Sequence, residues 1–223
     1  MIFKDRRDAG RKVAALLPHY ADRKDVVVLA LPRGGVPVGY EVARKLNAPL
    51  DVFLVRKLGV PGHEELAMGA IASGGVRVLN EDLVIYLGIP DEVIDRIAAV
   101  EHRELERREL AYRDNRSRPE VQGRVVILID DGLATGSTMR AAAESLRQQE
   151  PRRIVVAVPV SSPETCEELR SEVDEIVCAV TPEYFQGVGL WYEDFAQTSD
   201  EEVRQLLKQA PQTQPHFASQ ART

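Results

Sequence analysis

Five stretches of this chain are apolar almost without interruption: residues 26–31, 51–55, 125–129, 154–158 and 175–180. None shows the strict apolar–polar alternation of a strand with one wet face, and runs of this kind suit strands covered on both faces. The segments between them carry apolar residues at helical spacing. Ala9, Val13, Ala14 and Leu17 line one stripe across residues 6–17, with Asp5 or Asp8 available as the cap. Val38, Val42 and Leu46 recur every four residues, and Pro37 is tolerated in the first turn of that helix. Met139, Ala142, Ala143 and Leu146 mark a further helix, and a short one begins over residues 163–169. Strands alternating with helices predict an α/β fold with a doubly wound, mainly parallel five-stranded sheet. In such sheets ligands bind beyond the carboxyl ends of the strands.

Three regions depart from this alternation. Residues 58–75 hold Gly59, Gly62, Gly69, Gly74 and Gly75 with few large apolar side chains, which predicts a mobile or ligand-ordered loop. An irregular hairpin is the plainer alternative. Residues 80–116 predict a helical insert. Asp91 can cap it, and Val93, Ile97 and Val100 make an apolar stripe. Glu104/Arg108 and Glu109/Arg113 are spaced for i,i+4 pairs on a solvated helix. Residues 181–197 gather Tyr184, Phe185, Trp191, Tyr192 and Phe195, enough for the core of a small hood or for stacking on a planar ligand. Residues 1–207 thus read as one domain with an 80–116 insert and a 181–205 hood. The polar residues 208–223, with Pro211 and Pro215, read as a disordered tail.

Composition narrows the functional classes. A length of 223 residues allows one sizeable domain, and a net charge of −6 argues against non-specific nucleic-acid binding. No apolar run approaches the ~20 residues of a membrane span, and the charged start lacks a signal core. The expected setting is therefore the cytoplasm, with no nucleic-acid or membrane partner. Cys166 and Cys178 have no metal-ligand spacing, so two inert thiols in a reducing compartment are expected.

The chemistry concentrates in residues 125–139, VVILIDDGLATGSTM. The apolar run stops at Asp130 and Asp131. A turn with Gly132 and Gly136 follows, and Ser137 and Thr138 open a helix. A small hydroxyl-bearing loop at a helix start offers N–H groups and hydroxyls to an anion. Paired carboxylates repel that same anion and suit hydroxyls, a metal ion or a developing positive charge. One compact ligand with a phosphate at one end and a diol beside it satisfies both, and a ribose 5-phosphate is such a ligand. Arg33-Gly34-Gly35, after the first strand, reads either as a tight turn or as a second anion site made of N–H groups and one guanidinium. Arg33, Lys57 and Asp130/Asp131 all fall at predicted strand carboxyl ends.

The 125–139 stretch resembles the phosphoribosyl-diphosphate (PRPP) signature of type I phosphoribosyltransferases, in which an apolar strand and paired acids precede a Thr-Gly-x-Thr turn. Thr135-Gly136-Ser137-Thr138 fits that turn, in wording closest to adenine-type members. The likeness covers residues 26–60 and 121–180 and is loose elsewhere. It implies a Mg2+-dependent transfer of ribose 5-phosphate from PRPP to a small nitrogen acceptor, foremost a nucleobase, with release of diphosphate. On this resemblance Ala134, Thr135, Gly136, Ser137 and Thr138 would hold the 5-phosphate. Arg33, Gly34 and Lys57 would hold the diphosphate, and Asp130 and Asp131 the metal and the ribose hydroxyls. Asp130, Asp131, Lys57 and Glu65 (or Glu64) would be catalytic, with the 58–75 loop as a lid. The family often carries a non-proline cis peptide in the loop that corresponds to residues 33–35. Phe185 matches the aromatic that stacks on the base in hypoxanthine-guanine members. Two departures concern base selection: Trp191 stands where a metal-binding acid is expected before Tyr192, and Ala134 replaces a purine-adjacent acid. A PRPP- or nucleotide-binding regulator with the same fold is the second reading. Either is compatible with a homo-oligomer.

Overall fold

The computed structural model describes residues 2–113 and 118–211, apart from the side chain of Glu65. In chain order the elements are α1 (Arg6–Ala15), β1 (Val26–Ala30), α2 (Gly35–Leu46), β2 (Leu50–Val52), β3 (Val55–Val60), β4 (His63–Ala72), β5 (Val76–Leu79), α3 (Glu81–Leu87) and α4 (Asp91–Arg113). They continue with β6 (Val125–Ile129), α5 (Ser137–Arg147), β7 (Arg153–Val160), α6 (Pro163–Arg170), β8 (Glu175–Val180) and α7 (Asp200–Gln209). The main sheet is five-stranded and parallel, in the order β2-β1-β6-β7-β8. Asp5 supplies the cap of α1, accepting a hydrogen bond from Asp8 N at 2.7 Å.

Every residue of β1 and β6 is buried, as an uninterrupted apolar run requires. Successive side chains alternate between two cores. Val26, Val28, Ala30, Ile127 and Ile129 face α1, α2, α4 and α7, whereas Val27, Leu29, Val126 and Leu128 face α5 and α6. β1 and β6 pair in register from Val26↔Val125 to Ala30↔Ile129, so the loops that follow both strands emerge side by side. Among the described residues, no helix is long and apolar enough to cross a membrane.

Several expectations are corrected. The strand expected at 51–55 ends at Val52, and Val55 opens a second, antiparallel sheet of order β3-β4-β5. The 58–75 segment is therefore a folded hairpin. Leu58 and Met68 are fully buried, and the small residues Gly69, Ala70 and Ala72 let its strands pair closely. The described part of the 80–116 insert holds two helices, α3 and α4, the first capped by the Asn80 side chain, which accepts from Leu83 N at 3.0 Å. The buried stripe of α4 is Ile94, Ala98, Leu105 and Tyr112, one position along from the expected one, and Val100 is 51% exposed. Glu104–Arg108 pairs in solvent at 2.8 Å as expected. Arg113 instead is buried, with Nε 2.8 Å from Asp51 Oδ2, Nη1 3.0 Å from Glu109 and Nη2 donating to the Val52 carbonyl at 3.0 Å. Residues 208 and 209 belong to α7, whose Leu206 and Leu207 are buried, while 212–223 lie outside the described residues. Cys166 of α6 and Cys178 of β8 form a disulfide in place of two separate thiols, because the short α6–β8 connection lays one over the other.

Candidate functional site

The loop after β6 is shaped by its neighbours. Leu133 N donates to the Val160 carbonyl at 2.9 Å, and Thr165 Oγ1 donates to the Ala134 carbonyl at 2.9 Å. Thr165 is itself held by Ser162, which caps α6. Gly136 takes φ +68° at the start of α5, and a Cβ there would lie 2.8 Å from Thr165 Cγ2. Only glycine meets both conditions without strain. The N–H groups of Ala134, Thr135 and Gly136 make no hydrogen bond among the described residues. With the Ser137 and Thr138 hydroxyls they group at the first turn of α5, at the place where the sequence leads one to expect an anion.

The Arg33-Gly34-Gly35 turn leads from β1 into α2, and the Pro32–Arg33 peptide is cis. The turn lies directly against the acids: a Cβ on Gly34 would stand 2.0 Å from Asp131 Oδ2, and one on Gly35 would stand 3.0 Å from Asp130 Cα. Neither the Arg33 nor the Gly34 N–H is used by a hydrogen bond among the described residues. Fold and register thus bring Gly34, Asp130 and Asp131 together. The Arg33 guanidinium instead faces Asp200 at 3.7 Å.

Lys57 belongs to β3. With Asn80, Ser137, Arg140 and Glu144 it lines a cavity of about 370 Å³ between the small sheet and α5, and Arg33 and the acid pair do not line it. Lys57 thus shares a cavity with Ser137 at the start of α5. Glu64 is exposed on β4, and the Glu65 side chain lies outside the described residues. Phe185 is half-buried and packs on the cluster of Phe3, Ala9, Val160 and Tyr192, so part of its ring is taken up by hood packing.

Three contributors have no signal in the local sequence. Arg6 Nε donates to Asp131 Oδ2 at 2.8 Å, from 125 residues away. Tyr192 Oη donates to the Asp131 carbonyl at 2.5 Å. The third is the Thr165 brace. Burial raises the proton affinity of both acids above the usual carboxylate range. For Asp130 the charge of Asp131 adds to this, and for Asp131 the Arg6 guanidinium offsets part of it. Burial also drives the Tyr192 hydroxyl far up.

Among the described residues no three His, Cys, Asp or Glu side chains converge as metal ligands. Mg2+ keeps several waters and is commonly held by one or two carboxylates plus substrate phosphates. Two adjacent acids, one engaged by Arg6, fit a metal that arrives with a phosphorylated substrate.

A five-stranded parallel sheet with paired acids and a helix-opening turn after β6, set against the turn after the adjacent β1, places the chain in the class of type I phosphoribosyltransferase-like α/β proteins. The profile described as "Phosphoribosyl transferase domain" matches residues 4–193. The crystal structure of TT1426 from Thermus thermophilus is 45% identical with a TM-score of 0.82, covering 93% of this chain and 98% of that one. Rv0571c of Mycobacterium tuberculosis, provisionally named a phosphoribosyl transferase, is 46% identical over 209 residues, 94% of this chain and 47% of its own length. A ribose-phosphate pyrophosphokinase of Methanopyrus kandleri is 32% identical over 166 residues, 65% of this chain and 55% of that protein. The chain belongs to the phosphoribosyl transferase domain family. It spans about half the length of the mycobacterial relative.

Proposed function

We propose that the chain moves ribose 5-phosphate from PRPP to a nitrogen acceptor, foremost a nucleobase, and releases diphosphate. The observation that carries this reading is the contact between Gly34 and Asp131, which sets unused N–H groups for a diphosphate against carboxylates suited to a ribose diol. The 134–138 cradle then takes the 5-phosphate, and Asp130 and Asp131 accept from the 2- and 3-hydroxyls. The C1–O bond to diphosphate breaks as the acceptor nitrogen bonds to C1, the proton that this nitrogen sheds passes to the departing diphosphate or to water, and the pair of acids favours the positive charge that grows on the sugar. The loop N–H groups of Arg33 and Gly34 receive the departing anion, and the Arg33 guanidinium joins them on leaving Asp200. Mg2+, when bound, would screen the diphosphate charge, held by Asp130 and the substrate's own oxygens.

The test is diphosphate release from PRPP and Mg2+ with a panel of nucleobases. Release that depends on one added base is expected, and its loss in a folded Asp130→Asn/Asp131→Asn variant completes the assignment. Full turnover in that variant would refute the roles. One observation favours the alternative of a PRPP-binding regulator: Asp131 is already neutralised by Arg6. Tight PRPP binding without turnover on any base would select that alternative.

A further inference from the structure

Arg6 is the first residue of α1, yet its head group sits in the middle of the site. The Arg6 and Asp131 side chains are only 11% and 16% exposed. The guanidinium is pinned from several directions. It stacks 4.0 Å from the centre of the Phe195 ring, its Nη1 donates to the Ala196 carbonyl at 2.7 Å, and Tyr192 steadies the Asp131 main chain. A Cβ on Gly34 would lie 3.3 Å from Arg6 Nε, so a fixed cation, an acid and the proposed diphosphate turn meet at one point. A carboxylate oxygen engaged by a guanidinium has a lone pair fewer for a metal, and a divalent ion beside a fixed positive charge is repelled.

We propose that Arg6 is a positioning residue: it serves Asp131 as a built-in countercation, so that Asp131 receives a sugar hydroxyl while a divalent metal binds through Asp130 and the oxygens of the substrate. The proposal rests on the PRPP reading for the identity of that substrate, but its effect on metal binding does not need PRPP. In the free protein the metal site is suppressed, and it forms only when a diphosphate brings its own ligands. One metal ion then accompanies each PRPP.

The probe is Mn2+ alone, followed by its electron paramagnetic resonance signal, with the full chain as wild type, Arg6→Met, Arg6→Lys and Phe195→Leu. Repulsion between charges of one and two about 5 Å apart in a water-like medium corresponds to roughly a tenfold effect. Arg6→Met should therefore bind Mn2+ about tenfold more tightly than wild type, and Arg6→Lys should stay near wild type. Phe195→Leu removes the stacking ring but keeps the charge, so it should lower thermal stability without changing Mn2+ affinity. In turnover, Arg6→Met should lose kcat more than it raises KM for PRPP. Equal Mn2+ affinity in wild type and Arg6→Met, both folded, overturns the proposal, as does a Phe195→Leu variant that gains affinity as much as Arg6→Met. A wild type that fails to bind PRPP overturns the proposed function instead, and the Mn2+ comparison still decides the role of Arg6.

Discussion

Replacing Gly34 with alanine tests the geometry of the site through a single methyl group. Gly34 has φ −59° and ψ −34°, a conformation open to any residue, so the backbone itself tolerates the change. The added Cβ would fall 2.0 Å from Asp131 Oδ2 and 2.6 Å from its Cγ, whereas ordinary contact begins near 3.4 Å. The carboxylate must retreat by more than an ångström, and it cannot do so while keeping its 2.8 Å bond to Arg6. Losing a charged hydrogen bond in a mostly buried setting costs about 1–3 kcal/mol of stability. A misplacement of about 1 Å in a reacting constellation costs on the order of a hundredfold in rate, or about 2.7 kcal/mol of barrier. The paired assay is kcat/KM for PRPP-dependent diphosphate release together with urea unfolding. A Gly34→Ala protein with both quantities unchanged would refute the claim that this turn and the acid share one space.

The remaining expectations concern the supports of the site and of the fold. Thr165→Val keeps the shape of the side chain but removes the donor to the Ala134 carbonyl. It should cost about 1 kcal/mol in stability and weaken ribose 5-phosphate binding severalfold by calorimetry; unaltered binding would show that the brace is dispensable. Arg113→Met removes a buried guanidinium from Asp51, while Glu109 keeps Arg118 at 2.7 Å, and should cost about 1–3 kcal/mol in urea unfolding, with a loss under about 0.5 kcal/mol counting against the buried network. For Asp130, burial and then the charge of Asp131 let the folded chain keep a proton to higher pH than the unfolded chain does. Its contribution to stability is therefore present at low pH and is lost as pH rises from the ordinary Asp range through the raised folded value. Asp130→Asn should raise Tm at pH 7 more than at pH 4 in scanning calorimetry, and a reversed order would contradict this account.

What is legible in the sequence follows from local regularity. Uninterrupted apolar runs mark the parallel strands, and the order strand, acids, small turn, helix marks the passage from β6 into α5, because each depends on residues adjacent in the chain. The hairpin is harder to read because Gly59, Gly69, Ala70 and Ala72 look incapable of packing until β3, β4 and β5 are set side by side. The α4 stripe is displaced by one position because Val93, Ile97 and Val100 are as apolar as Ile94 and Ala98, and only the neighbouring β3 and α7 decide which set is covered. Arg113 reads as a solvated partner of Glu109 because its other acid, Asp51, sits 62 residues away. Arg6 and Tyr192 are invisible for the same reason: neither carries a motif, and both gain their role only when the first and last parts of the described chain meet over the loop after β6.

That meeting also has a practical side. Phe3 N donates to the Trp191 carbonyl, Glu193 N donates to the Phe3 carbonyl, and Asp194 N donates to the Lys4 carbonyl, each at 2.8–2.9 Å. The opening residues are therefore stitched into the hood like the last staves of a barrel, and Arg6 lies only two positions beyond the final stitch. A deletion that removed Phe3 and Lys4 would cut these bonds within two residues of the Arg6–Asp131 pair.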